Sequence, residues 1–111
     1  TYANAGHPHA FIVSRSGEVR RLPVTNPPFG IIDLDDYGQQ TVDWASHEDL
    51  LFLFTDGLSD SIGPQGERRL IEHVVAGRDR PLDELLCSLF EIEPQNGSIP
   101  SDDRTAVLVR A

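Results

Sequence analysis

The stretch Leu50-Leu51-Phe52-Leu53-Phe54 is apolar at every position and runs straight into Thr55-Asp56-Gly57. A half-exposed strand alternates apolar and polar residues, whereas an unbroken apolar run of this length is the pattern of a strand covered on both faces and central in its sheet. A carboxylate then stands at the C-terminal tip of that strand. Gly57 is expected to turn the chain away sharply, through a backbone conformation closed to other residues, and to leave Asp56 open at the sheet end. Asp-Gly is also a common pair at an ordinary strand exit, and Asp56 alone reads as nothing more than that.

The remaining chain supplies the neighbours of this strand. Tyr2 to Ala5 reads as a strand, and Ala10 to Val13 and Glu18 to Leu22 form a hairpin across Ser14-Arg15-Ser16-Gly17. Asn26-Pro27-Pro28-Phe29-Gly30 breaks regular structure, and Gln40 to Trp44 reads as a further strand. Helical periodicity starts later. Leu70, Ile71, Val74 and Val75 make one apolar stripe ended by Gly77, and Leu82, Leu85, Leu86, Leu89 and Phe90 make a second, with Pro81 in its first turn. Thr105 to Val109 closes the chain as a β-branched strand. Strands, two helices and a last strand argue for an α+β layered fold in which helices cover a mainly antiparallel sheet.

A second acidic site changes the weight of Asp56. Ser101-Asp102-Asp103-Arg104 precedes the last strand, so its carboxylates lie at that strand's N-terminal tip. If the two strands are antiparallel neighbours, the end of one and the start of the other share an edge, and Asp56 and Asp102 converge. Carboxylates brought together repel unless a proton or a cation intervenes, and hard divalent ions take oxygen ligands of this kind. Two solvated acidic turns and a metal site at a sheet edge are equally consistent with the spacing.

Charge and composition narrow the partners. With 18 acidic and 9 basic residues among 111, the net charge of −9 disfavours nucleic acid and contact with anionic membranes. No apolar run approaches the ~20 residues of a membrane span, and no basic, apolar leader opens the chain, which points to a cytoplasmic protein. Cys87 is the sole cysteine and its helical apolar setting places it in the core. Asn96-Gly97-Ser98 reads as a turn rather than a glycosylation acceptor. The length suits one domain or part of one, and a start at Thr1 is expected of a piece of a longer protein.

Four segments in order, Ala5-Gly6-His7-Pro8, Pro28-Phe29-Gly30-Ile31, Leu53-Phe54-Thr55-Asp56-Gly57 and Asp102-Asp103-Arg104-Thr105, resemble successive motifs of the SpoIIE/RsbU branch of the PPM metal-dependent serine/threonine phosphatases. The resemblance covers nearly the whole chain. It implies a layered antiparallel β-sandwich flanked by helices, of which residues 1–111 would be the C-terminal portion. It also implies two Mn²⁺ or Mg²⁺ ions in a cleft at one end of the sandwich, and an attack on phosphoserine or phosphothreonine by a metal-activated water. By motif, Asp56 and Asp102 are metal ligands. Asp103 belongs beside them, supporting the ligands or at an additional metal position.

His7 invites a catalytic role as a proton donor, with packing beneath the site as the stronger reading. His9 stands where relatives often carry proline, His47 and His73 read as a surface turn and a helix flank, and Asp60 as a local or surface residue. Two departures stand out. The family's N-terminal motifs are not in these residues, so the segment by itself is expected to be inactive and to leave strand edges that pair with a second copy, a homo-oligomer or an aggregate. Ser59 to Glu67 is expected to be a short loop between Gly57 and the next helix. The function implied is a phosphatase acting on a phosphorylated regulatory protein such as an anti-sigma-factor antagonist. The alternative is a non-catalytic regulatory module that keeps the fold and binds a protein.

Overall fold

The computed structural model describes residues 1–31, 37–94 and 103–111. Its centre is a four-stranded antiparallel sheet in the order β2-β1-β3-β4, formed by β1 (Ala10–Val13), β2 (Val19–Arg21), β3 (Leu50–Phe54) and β4 (Ala106–Val109). β1 and β3 fall where the sequence pattern puts them. β3 is central, with Phe52 opposite Phe11 on one side and opposite Leu108 on the other. The hairpin also forms, and Ser14 closes it by accepting from Gly17 N–H at 2.9 Å.

Three helices follow β3: α1 (Asp56–Ile62), α2 (Gly66–Ala76) and α3 (Leu82–Leu89). They bury one face of the sheet. Phe11, Val13, Leu50, Phe52 and Phe54 from the strands meet Leu58, Ile62, Leu70, Val74, Leu85 and Leu89 from the helices in one continuous core. The second face is thinner: Ala10, Ile12 and Leu22 are buried there, while Leu51 and Leu53 are half-buried against Tyr2 and Val42. The strand that reads as covered on both sides is thus covered fully on one.

Several expectations are corrected. Ser59 to Glu67 is not a loop, because α1 starts at Asp56 itself and runs to within four residues of α2. Gly57 consequently lies in a helical turn, buried, and does not reverse the chain. The helices can lie this close because Gly66 has no side chain: a Cβ there would stand 1.9 Å from the Ser59 carbonyl oxygen. Tyr2 to Ala5 and Gln40 to Trp44 do not form strands. They meet only at the isolated bridge Tyr2 to Gln40, and Ala5 bridges Asn26. Thr25 N–H and Asn26 N–H both donate to the Asn4 carbonyl, and the Asn4 side chain holds His7 N–H and the His7 and Leu22 carbonyls, an arrangement of a tied loop rather than a ladder. Cys87 is exposed, not core. It sits two residues from each of the buried Leu85 and Leu89, and half a helical turn carries it to the far side of α3. Pro81 is the cap residue of α3 rather than a member of its first turn. The turn at Asn96 lies outside the described residues.

Candidate active site

The catalytic edge expected from the sequence rests on β3 and β4 being antiparallel neighbours, and they are. Phe54 at the end of β3 stands opposite Ala106 at the start of β4. One step further, Thr55 N–H donates to the Thr105 carbonyl at 3.1 Å, and Thr105 N–H donates to Thr55 Oγ1, also at 3.1 Å. Thr55 Oγ1 in turn reaches the Asp103 carbonyl at 3.4 Å. The threonine before Asp56 therefore ties the tip of β3 to the segment that carries Asp103. Asp102 lies outside the described residues.

Asp56 opens α1, where a carboxylate is favoured by the helix dipole and the unpaired N–H groups of the first turn. It lines a cleft of about 320 Å³ with Thr55, Gly57 and the segment Gly6, His7, Pro8 and His9. Gly6 makes the approach of that segment possible. Its φ of +89° is a left-handed conformation, and a Cβ would lie 2.5 Å from Pro28 Cγ, so the Gly-His-Pro and Pro-Phe-Gly segments pack against each other through this glycine. His7 turns its Nε2 to the His9 carbonyl at 3.1 Å and joins the turn to the start of β1.

His9 is the residue that sequence reasoning passed over. Its Nε2 lies 2.5 Å from Asp56 Oδ1, and its ring stacks on Phe54 with centroids 4.6 Å apart and planes 12° from parallel. Its side chain is 12% exposed against 69% for Asp56. On the other side of the ring, Glu67 Oε2 from α2 stands 3.0 Å from Nδ1, without the alignment of a hydrogen bond. That contact is a close approach without a hydrogen bond; the ring is oriented by the Nε2 bond and the stacking. Glu67 is also paired with Arg21 of β2. A signal was present: residues 9, 11 and 13 share one face of β1, and pairing β1 with β3 sets position 9 beside Phe54, at the tip that carries Asp56.

The other histidines are remote. His47 is exposed in a turn at φ +64°, and His73 of α2 faces Ser88 Oγ at 2.7 Å. Asp60 is exposed on α1.

In kind, this edge suits a hard divalent cation: an open carboxylate at Asp56, with the Asp103 segment bound to the same strand tip. Among the described residues, no group of three or more His, Cys, Asp and Glu is arranged to hold a metal ion by itself.

An antiparallel sheet backed by helices, with Asp56 at the end of β3 and the Asp103 segment bonded to the same strand tip, is consistent with a partial domain of the PPM phosphatase type. The family model of Stage II sporulation protein E (SpoIIE) matches residues 1–111, and the chain belongs to that family. Protein IcfG of Synechocystis sp. is 31% identical over 116 residues, an alignment that covers 98% of this chain and 18% of IcfG. The chain thus spans less than a fifth of that relative's length. No solved structure matches. Membership of the PPM class implies dependence on divalent metal, and among the described residues no helix is long and apolar enough to cross a membrane.

Proposed function

We propose that this chain is the C-terminal portion of one phosphatase domain that hydrolyses phosphoserine or phosphothreonine on a regulatory protein such as an anti-sigma-factor antagonist. The observation that carries the reading is the β3–β4 pairing at Thr55 and Thr105, in a chain that matches the SpoIIE family from end to end. It puts the exposed Asp56 at the strand end to which the Asp103 segment is bonded. Asp56 and Asp102 hold Mn²⁺ or Mg²⁺, two ions in the intact domain, and Asp103 supports them or adds to the set. Bound ions of this kind supply an activated water and neutralise charge on phosphoryl oxygens. The chain's own part is to fix the ligands. Asp56 is set by the start of α1, Thr55 ties its strand to β4, and His7 braces the turn that walls the cleft.

In the intact protein, Asp56→Asn and Asp102→Asn are each expected to abolish Mn²⁺-dependent hydrolysis of a phosphoserine or phosphothreonine substrate while leaving the circular dichroism and the melting temperature near wild type. Each removes an anionic ligand, which weakens the ion and raises the pKa of water bound to it. Near-normal turnover of either variant at saturating metal rules out the assignment. Tight binding of the regulatory protein by a wild type that never turns it over would establish the non-catalytic module instead.

A further inference from the structure

We infer that His9 is a positioning residue for the metal edge, holding the Asp56 carboxylate in one rotamer so that one oxygen is committed to the protein and the other is left for a divalent cation. The inference rests on the reading of Asp56 as a metal ligand and adds to it a residue outside the expected ligand set.

A carboxylate only accepts hydrogen bonds, so the 2.5 Å contact requires the proton on His9 Nε2 and directs that N–H at Asp56 Oδ1. An exposed aspartate at the first position of a helix otherwise samples several rotamers, and a ligand so disordered loses affinity to the entropy of fixing it. The donor that fixes it is itself immobile. The His9 ring is largely buried, stacked on Phe54, and its backbone carbonyl accepts from Phe54 N–H at 3.3 Å. Behind it, Glu67 closes the Nδ1 side, and Arg21 grips Glu67 while donating to the Pro8 carbonyl at 2.6 Å and lying 4.6 Å above the Phe11 ring. Arg21 and Glu67 thus tie the edge strand β2 and helix α2 to the Pro8–His9 segment ahead of β1, and the hydrogen bond that reaches Asp56 comes from His9 Nε2 alone. Ligating carboxylates held by such outer partners bind metal more tightly than free ones, and loss of an outer partner costs on the order of 10- to 100-fold in affinity.

The test is calorimetric titration of the full-length protein with Mn²⁺, in the absence of substrate. His9→Phe keeps a ring to stack on Phe54 and removes the donor. It is expected to weaken Mn²⁺ binding at least about 10-fold with little change in melting temperature. His9→Gln, which restores an N–H donor, is expected to recover most of that loss. His9→Leu gives the same reading if the larger ring unfolds the protein. If Asp56→Asn loses Mn²⁺ while His9→Phe binds it as well as wild type or better, the positioning role is overturned and the metal site stands. Should His9→Gln be as weak as His9→Phe, the ring acts by packing and the positioning role is likewise overturned. An Asp56→Asn variant that binds Mn²⁺ like wild type overturns the metal reading itself, and the role of His9 with it.

Discussion

The two faces of the sheet are made from equally apolar strands and end in opposite states. On the helix side, Leu50, Phe52 and Phe54 of β3 are all buried, in contact with residues of α1, α2 and α3. On the other side, Leu51 and Leu53 are only half-buried, and their partners on β4, Val109 and Val107, are 39% and 45% exposed. The difference teaches that an apolar run reports how much surface a strand can bury, not how much of it the described residues do bury. A face with several adjoining, partly exposed aliphatic side chains is a place where further covering structure would add stability. The stacked-sheet architecture implied by the family resemblance has a second layer to put on such a face, whereas the helix side is already complete.

That contrast can be broken by substitution in the intact protein. Phe52→Ala on the helix side should lower stability most, by about 3–5 kcal/mol, since it leaves a cavity in the middle of the core that neighbouring strands cannot close. Chemical denaturation measures it, and a loss under about 1 kcal/mol would show the helix face to be looser than its burial indicates. Gly66→Ala should follow at about 1–3 kcal/mol, because its methyl group would strike the Ser59 backbone and push α1 away from α2. α1 begins at Asp56, so the same variant should also weaken metal binding.

Val107→Thr sharpens the comparison from the other side. If its face stays open to water in the intact protein, the change should fall within about 0.5 kcal/mol of zero. A loss of several times that value would show that another part of the protein covers the face.

The smallest expected effect lies on the helix layer's outer surface, at His73. Burial, with a lesser contribution from the Arg80 charge, lowers its pKa from the ordinary 6.5. The unfolded chain then takes up the proton at a higher pH than the folded one. The contribution of His73 to stability is therefore complete above pH 6.5, declines as pH falls below it, and levels off below the lowered folded pKa. His73→Gln should flatten the denaturation free energy in that window, and an unchanged slope would remove His73 as its source.

Much of this could be read before any tertiary structure, and particular residues show why. The positions of β1 and β3, the stripes of α2 and α3, and the placement of β4 follow from apolar periodicity, which a chain obeys locally whatever surrounds it. Asp56 was identifiable for a similar reason: a carboxylate directly after an unbroken apolar run must emerge at a strand tip. Tyr2 to Ala5 misled because its backbone groups are taken by a loop rather than a ladder: Asn4 N–H donates to Thr25 Oγ1, and the Asn4 carbonyl accepts from both Thr25 N–H and Asn26 N–H. Gly57 misled because Asp-Gly suits a helix start as well as a turn, and only the packing of Leu58 and Ile62 into the core selects the helix.

The sequence by itself determined which segments could be strands and helices, that the charge is acidic, and that a carboxylate stands at the end of the central strand. Those properties depend on side-chain type and on spacings within a few residues. Tertiary structure alone decided that one sheet face is covered and the other partly open, that Cys87 faces water, and that His9 meets Asp56 across 47 residues of chain. Each of these depends on which strands become neighbours and in what register. A shift of one residue between β1 and β3 would turn His9 to the opposite face, because side chains alternate along a strand, and the contact with Asp56 would be lost.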